Sequence, residues 1–158
     1  MPTDVRARLA ELGLALPEVS APKGAYVPAV RSGRHIFVAG QIPLTGGKLT
    51  ATGRVGAEVS PERARELSRQ CALAALAAAG SVAPLEAVVR AVKVVGYVAS
   101  ARGFLGQATV VDGAGELLAQ VFGAAGRPVG SAVGMDVLPL DAPVEIEVVL
   151  EVDEGSGR

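Results

Sequence analysis

No tryptophan occurs in this chain, and only three phenylalanines and two tyrosines do. A core of stacked rings is thereby excluded. Half the residues are hydrophobic, so Val, Leu, Ile and Ala must fill the interior. The one cysteine, Cys71, excludes an intrachain disulfide and any cysteine-built zinc cluster. It falls in an alanine-rich helical pattern, where a small buried apolar residue is the default. The one histidine, His35, has no neighbours in sequence that suggest a metal site, and alone it cannot form a nucleophile relay. No P-loop, G-x-S-x-G, H-E-x-x-H or dinucleotide fingerprint is present, and no cofactor is expected. No apolar run reaches the length of a membrane span. The opening M-P-T-D-V-R-A-R-L-A mixes charges through its length, unlike a secretory signal, and a cytoplasmic protein is the simplest reading. Fifteen basic and sixteen acidic residues leave a net charge of −1. That balance argues against a nucleic-acid or membrane partner, and the few aromatics leave few stacking platforms for bases.

What is present reads as one domain. A chain of this length buries roughly 70% of its unfolded surface and can build a real core. Residues 1–24 read as an N-terminal helix, capped by Thr3 and stopped by Gly13, with a connector; 25–152 read as the domain and 153–158 as a flexible tail. Residues 25–31 and 34–39 suggest two strands joined across Ser32-Gly33, and a weak third strand lies near 48–50. Ser60-Pro61-Glu62 is a strong helix start, and Leu67, Cys71, Ala74 and Ala78 repeat at helical spacing up to Gly80. Residues 87–99 form a long Val-rich run suited to a central strand, in which Tyr97 reads as core. Residues 107–125 read as a second helix, weakened early by Gly113 and Gly115. The sum predicts an α+β domain with a single mixed sheet and two main helices on one face. The sheet's other face is apolar too, so self-association is expected.

Residues 129–152 read as a final pair of strands flanking Leu138-Pro139-Leu140-Asp141. Alternation puts Glu145, Glu147 and Glu151 on one face, as on a solvent-facing edge. Gly130-Ser131-Ala132 is bare for a strand and lets a ligand or another chain approach the backbone. Tyr26 brings a polar handle to the start of a strand. Gly40-Gln41-Ile42-Pro43 makes a corner at the end of one.

Several of these segments, in order over about residues 25–152, resemble the YjgF/RidA family: His35 to Pro43, Lys93 to Phe104, Pro128-x-x-Ser131-Ala132-Val133, Leu138-Pro139, and Val144-Glu145-Ile146-Glu147. The segment 104–127 is longer than in the best-known deaminases of that family and resembles a divergent subgroup. The resemblance implies a YjgF/chorismate mutase-like fold and a homotrimer with ligand clefts between subunits. It implies that Tyr26 stands beside the cleft and that Gly40 and Gln41 shape its wall. Ser131 and Ala132 would offer a hydroxyl and a backbone N–H to a carboxylate or carbonyl, and Glu145 would position the water that attacks an imine. Deaminating members carry an arginine directly before the serine, where this chain has Gly130. Losing such a buried fork costs about 2–5 kcal/mol in carboxylate binding, or roughly thirty- to several-thousand-fold. Arg127, Arg90 and Lys93 are the candidate substitutes.

Two functions follow as expectations. The first is a trimeric protein that binds a small carboxylate or carbonyl metabolite, with standard deaminase activity set back by Gly130. The alternative is an enamine/imine deaminase acting on 2-iminopropanoate-like intermediates of amino-acid metabolism.

Overall fold

The computed structural model describes residues 3–156, and in it the last strand of the chain occupies the middle of the sheet. Five strands form that sheet in the order β1 (Ala29–Ser32), β2 (His35–Gln41), β7 (Val144–Val152), β5 (Val88–Ala99), β6 (Val129–Met135). Within this sheet β5 and β6 run parallel, and its other strand pairings are antiparallel. A parallel pair requires a long crossover, and α3 (Gln107–Phe122) supplies it. The crossover places β6 outside β5, so the chain must return past β5 to reach the slot beside β2. The expected final strand pair is therefore corrected: β6 and β7 do not pair, because β5 lies between them. The glutamate row is corrected with it, since Glu145, Glu147 and Glu151 ride on a central strand and not on a solvent-facing edge.

Both main helices cover one face of this sheet. α2 (Pro61–Ala79) starts at Ser60, whose Oγ accepts a hydrogen bond from the Arg63 N–H at 3.1 Å. Its inner face carries Leu67, Cys71, Ala75 and Leu76, packed on β2 and β7. α3 turns Val110, Leu117, Leu118 and Val121 inward against β5. The two helices also pack on each other, and the buried Ser68 hydroxyl accepts from the Ala114 N–H at 2.9 Å. Val144, Ile146, Val148, Leu150 and Val152 of β7 lie at the centre of this aliphatic core. The α+β class, the single mixed sheet and the two helices on one face agree with the sequence pattern.

Differences are local. α1 (Val5–Glu11) is capped by Asp4, whose carboxylate accepts from the Ala7 N–H at 2.9 Å; Thr3 does not cap it. β1 begins only at Ala29, after Pro28, and the hairpin turns through Gly33-Arg34. The expected third strand is a two-residue hairpin, β3 (Leu44–Thr45) with β4 (Lys48–Leu49). Within the expected tail, Glu154–Ser156 form a 3-10 turn, and residues 157 and 158 lie outside the described residues. Among the described residues no helix is long and apolar enough to cross a membrane.

The face opposite the helices is covered only at one end, where Ala99, Leu138 and Ala142 form a small second cluster. Val30 and Phe37 are cross-strand partners on it, and Val129, Val133 and Met135 of β6 extend it; all five are exposed.

Gly113 and Gly115 sit in one helix yet do opposite things. A β carbon at Gly113 would collide with the Arg65 carbonyl oxygen and lie 3.1 Å from Arg65 Cγ, whereas one at Gly115 would meet nothing. Gly113→Ala should destabilise the fold by about 1–3 kcal/mol through overpacking. Gly115→Ala should stabilise it by roughly 0.5–1 kcal/mol through helix propensity. Urea unfolding of the two variants checks the contrast, and equal effects would contradict the close approach of α2 and α3.

Candidate ligand site

The site begins with a mismatch between β2 and β7. Val38 pairs with Val148 and Gln41 with Ile146, so Ala39 and Gly40 together face the single residue Glu147. Such a bulge inserts one residue and reverses the alternation that follows it. Gln41 is thereby turned to the buried face, 7% exposed, and its Nε2 donates to the Ala39 carbonyl at 2.9 Å. Gly40 is brought against the Glu145 side chain of β7.

Around this point lies a cavity of about 300 Å³. Lys23, Tyr26, Gly40, Gln41, Pro139 and Glu145 line it, and the N-terminal connector closes one side through Ser20, Ala21 and Pro22. Burial, and after it the charge of Glu147, pushes the Glu145 carboxyl above the usual glutamate value. Tyr97 is the cross-strand partner of Glu145 and donates its hydroxyl to Glu147 Oε2 at 3.3 Å. Tyr97 is thus half-buried on the face opposite the helices, packed against the small cluster of Ala99, Leu138 and Ala142 and not within the main core that the sequence suggests. Burial and the neighbouring Glu147 push its hydroxyl up as well.

The second group of site residues lies elsewhere. A groove of about 550 Å³ runs between α3 and β6, and Asp112, Glu116, Arg127, Gly130, Ser131 and Ala132 line it. In the parallel register Gly130 and Ala132 stand beside Val94 and Gly96, which face the helices. Ser131 stands beside Val95 and belongs to the open face. A β carbon at Gly130 would touch only the Val94 carbonyl oxygen, at 3.1 Å. Of the candidate substitutes for an arginine there, Arg127 lines the same groove, while Arg90 and Lys93 line neither cavity. Glu116 is held by Arg65.

One chain therefore brings Tyr26, Gly40, Gln41 and Glu145 together, and separately Arg127, Gly130, Ser131 and Ala132. From β2 to β6 there are three interstrand steps, about 14 Å at the usual spacing. His35 is exposed, its ring 6.3 Å from that of Phe37, and is part of neither cavity. Cys71 is buried, and burial first, then the charge of Glu145, pushes its thiol well up. The sequence pattern missed Glu147, Tyr97 and Lys23. Alternation with Glu145 points to Glu147. A lone polar ring in the Val-rich strand points to Tyr97. Nothing in sequence singles out Lys23.

The family described as endoribonuclease L-PSP matches residues 18–152. Protein TCP17 of Trypanosoma cruzi is 35% identical over 151 residues, 94% of each chain. Among solved structures, the Agrobacterium tumefaciens protein Atu1372, of unknown function, is 38% identical. It superposes with a TM-score of 0.86, over 94% of this chain and 92% of that one. A Shewanella oneidensis structure is 28% identical with a TM-score of 0.90, over 94% of this chain and 99% of that one.

The raised Glu145 carboxyl has a consequence for stability. The folded chain holds that proton more tightly than the unfolded chain, so ionising it opposes folding. The contribution is full below the unfolded glutamate value near 4.3 and is lost as pH rises through the raised folded value. Glu145→Gln should therefore raise Tm over the parent protein at neutral pH, and the gain should vanish near pH 4. Thermal unfolding across that range tests this; a gain independent of pH would show that the carboxyl is not desolvated.

Proposed function

The chain belongs to the endoribonuclease L-PSP family, also called the YjgF family, and from that premise we propose that it is a small-molecule-binding protein acting as a homotrimer with ligand clefts between subunits. The division of the site carries this reading. The Glu145 cavity and the Gly130–Ser131 groove are each open on one side and lie on separate strands of one chain. A second copy that docks its β6 edge near the Glu145 cavity of the first completes both. It also covers the exposed Val30, Phe37, Val133 and Met135, an apolar area that a monomer seldom leaves bare. The ligand is a small carboxylate or carbonyl metabolite. The Ser131 hydroxyl on the open face and the backbone N–H groups of the β6 edge supply donors, and Arg127 supplies a cation on the helix side of that edge.

The Glu145 environment favours a second reading, hydrolysis of an imine. A carboxyl pushed up by burial lies closer to neutral pH and suits general acid–base work. Glu145 would take a proton from water while the hydroxide oxygen bonds to the imine carbon and the C=N pair moves to nitrogen, which takes that proton from Glu145 and leaves the carboxylate free again. Return of the hydroxyl proton through Glu145 to nitrogen breaks the C–N bond, releasing ammonia and a 2-oxo acid. With glycine at position 130, carboxylate capture is weaker than an arginine fork would make it.

Purified protein mixed with 2-iminopropanoate, generated in situ by an amino-acid-deaminating enzyme, tests the hydrolase reading. Expected are faster loss of imine than in buffer, no acceleration with Glu145→Ala, and a gain in kcat/KM of roughly thirty-fold or more with Gly130→Arg. Imine loss at the buffer rate rules hydrolysis out and leaves binding as the function. Sedimentation at micromolar concentration should give a trimer, and a monomer would overturn the assembly.

A further inference from the structure

Nothing in the backbone of Gly40 calls for glycine, since its φ lies outside the left-handed region. The space where its side chain would be is nevertheless filled. A β carbon at Gly40 would fall on Glu145 Oε1 and lie 2.8 Å from Cδ and 3.1 Å from Cγ of the same side chain. The bulge on β2 aims this bare spot at Glu145, and Gln41, buried on the other face, fixes the chain just beyond it. Tyr97 is the cross-strand partner of Glu145 on β5, Glu147 lies two residues along its own strand, and Lys23 and Tyr26 line the same cavity.

We propose that Gly40 is a positioning residue whose absent side chain forms the seat of the Glu145 carboxyl. Through that seat it sets where the acid–base oxygen points within the cavity. The inference rests on reading the Glu145 cavity as the ligand site. The obstructing atoms at Gly40 are the far end of a flexible side chain, whereas at Gly113 the obstructing atom belongs to the backbone. An alanine at position 40 is therefore absorbed by rotation of Glu145 out of its seat and not by movement of the sheet.

The test uses the full chain labelled with carboxyl-13C glutamate, with the Glu145 signal identified by its loss in Glu145→Gln. In Gly40→Ala the Glu145 signal should move and its titration midpoint should fall toward the ordinary glutamate value, as the carboxyl swings out to water. Turnover of 2-iminopropanoate should fall by up to roughly a hundredfold, the usual effect of an ångström-scale misplacement. A Glu145 signal and midpoint unchanged by Gly40→Ala overturn the inference. If the parent protein does not hydrolyse the imine, the hydrolase reading fails while the titration still decides the seat. Should Gly40→Ala prove unstable, Gly40→Ala/Glu145→Ala should recover the Tm of Glu145→Ala. A double variant as unstable as the single shows that something other than the carboxyl fills the space, and overturns the inference.

Discussion

Two residues of β2 facing one residue of β7 shape the cavity around Glu145. Before the bulge, Ile36 and Val38 point into the aliphatic core; after it, Gln41 does, with Gly40 turned outward between them. Without the extra residue, strict alternation would carry the glycine to the buried face and leave Glu145 facing a neighbour with a side chain. The bulge can be held because β7 is clamped on both sides, by β2 and by β5, and its inward residues are fully buried. A rigid central strand carrying a half-buried carboxyl, opposite a strand locally free to deform, is a workable division of labour for a site.

The same sheet explains why the site is split. The α3 crossover drives β6 to the edge, where all seven of its residues are exposed. That edge carries Gly130, Ser131 and Ala132. At that edge Gly130 leaves the groove beside α3 unobstructed, and Arg127, Asp112 and Glu116 line it. The lining of the groove thus comes from the helix as much as from the strand.

Elements with strong local chemistry were legible in the sequence. Ser60-Pro61-Glu62 marks the start of α2, and the Val-rich run from Val88 marks β5, because caps and burial patterns are properties of neighbouring residues. The order of strands was not legible. Nothing within 129–152 says that β5 slots between its two halves, since that follows from the parallel crossover and not from either run. The bulge was hidden for a similar reason: Gly40-Gln41-Ile42-Pro43 reads as a corner, and only the register with β7 shows the extra residue. Gly113 and Gly115 look equivalent in the chain, and only the packing of α2 separates them. Tyr97 was misplaced because a long apolar run suggests burial on both faces, whereas one face of β5 lies outside the main core.

Strand order also bears on how the chain is made. β2 ends at Gln41 and its partner β7 begins at Val144. At a ribosomal rate of 5–20 residues per second, the later strand emerges roughly 5 to 20 s after the earlier one. At the end of that interval the β1–β2 hairpin and the newly made β5–β6 pair are two fragments with bare inner edges, each a template for foreign strands. The strand that joins them into one sheet is also the one that carries the Glu145 carboxyl. Completion of the fold and delivery of Glu145 are a single late event, so a nascent chain has no acid at its site until the sheet is closed.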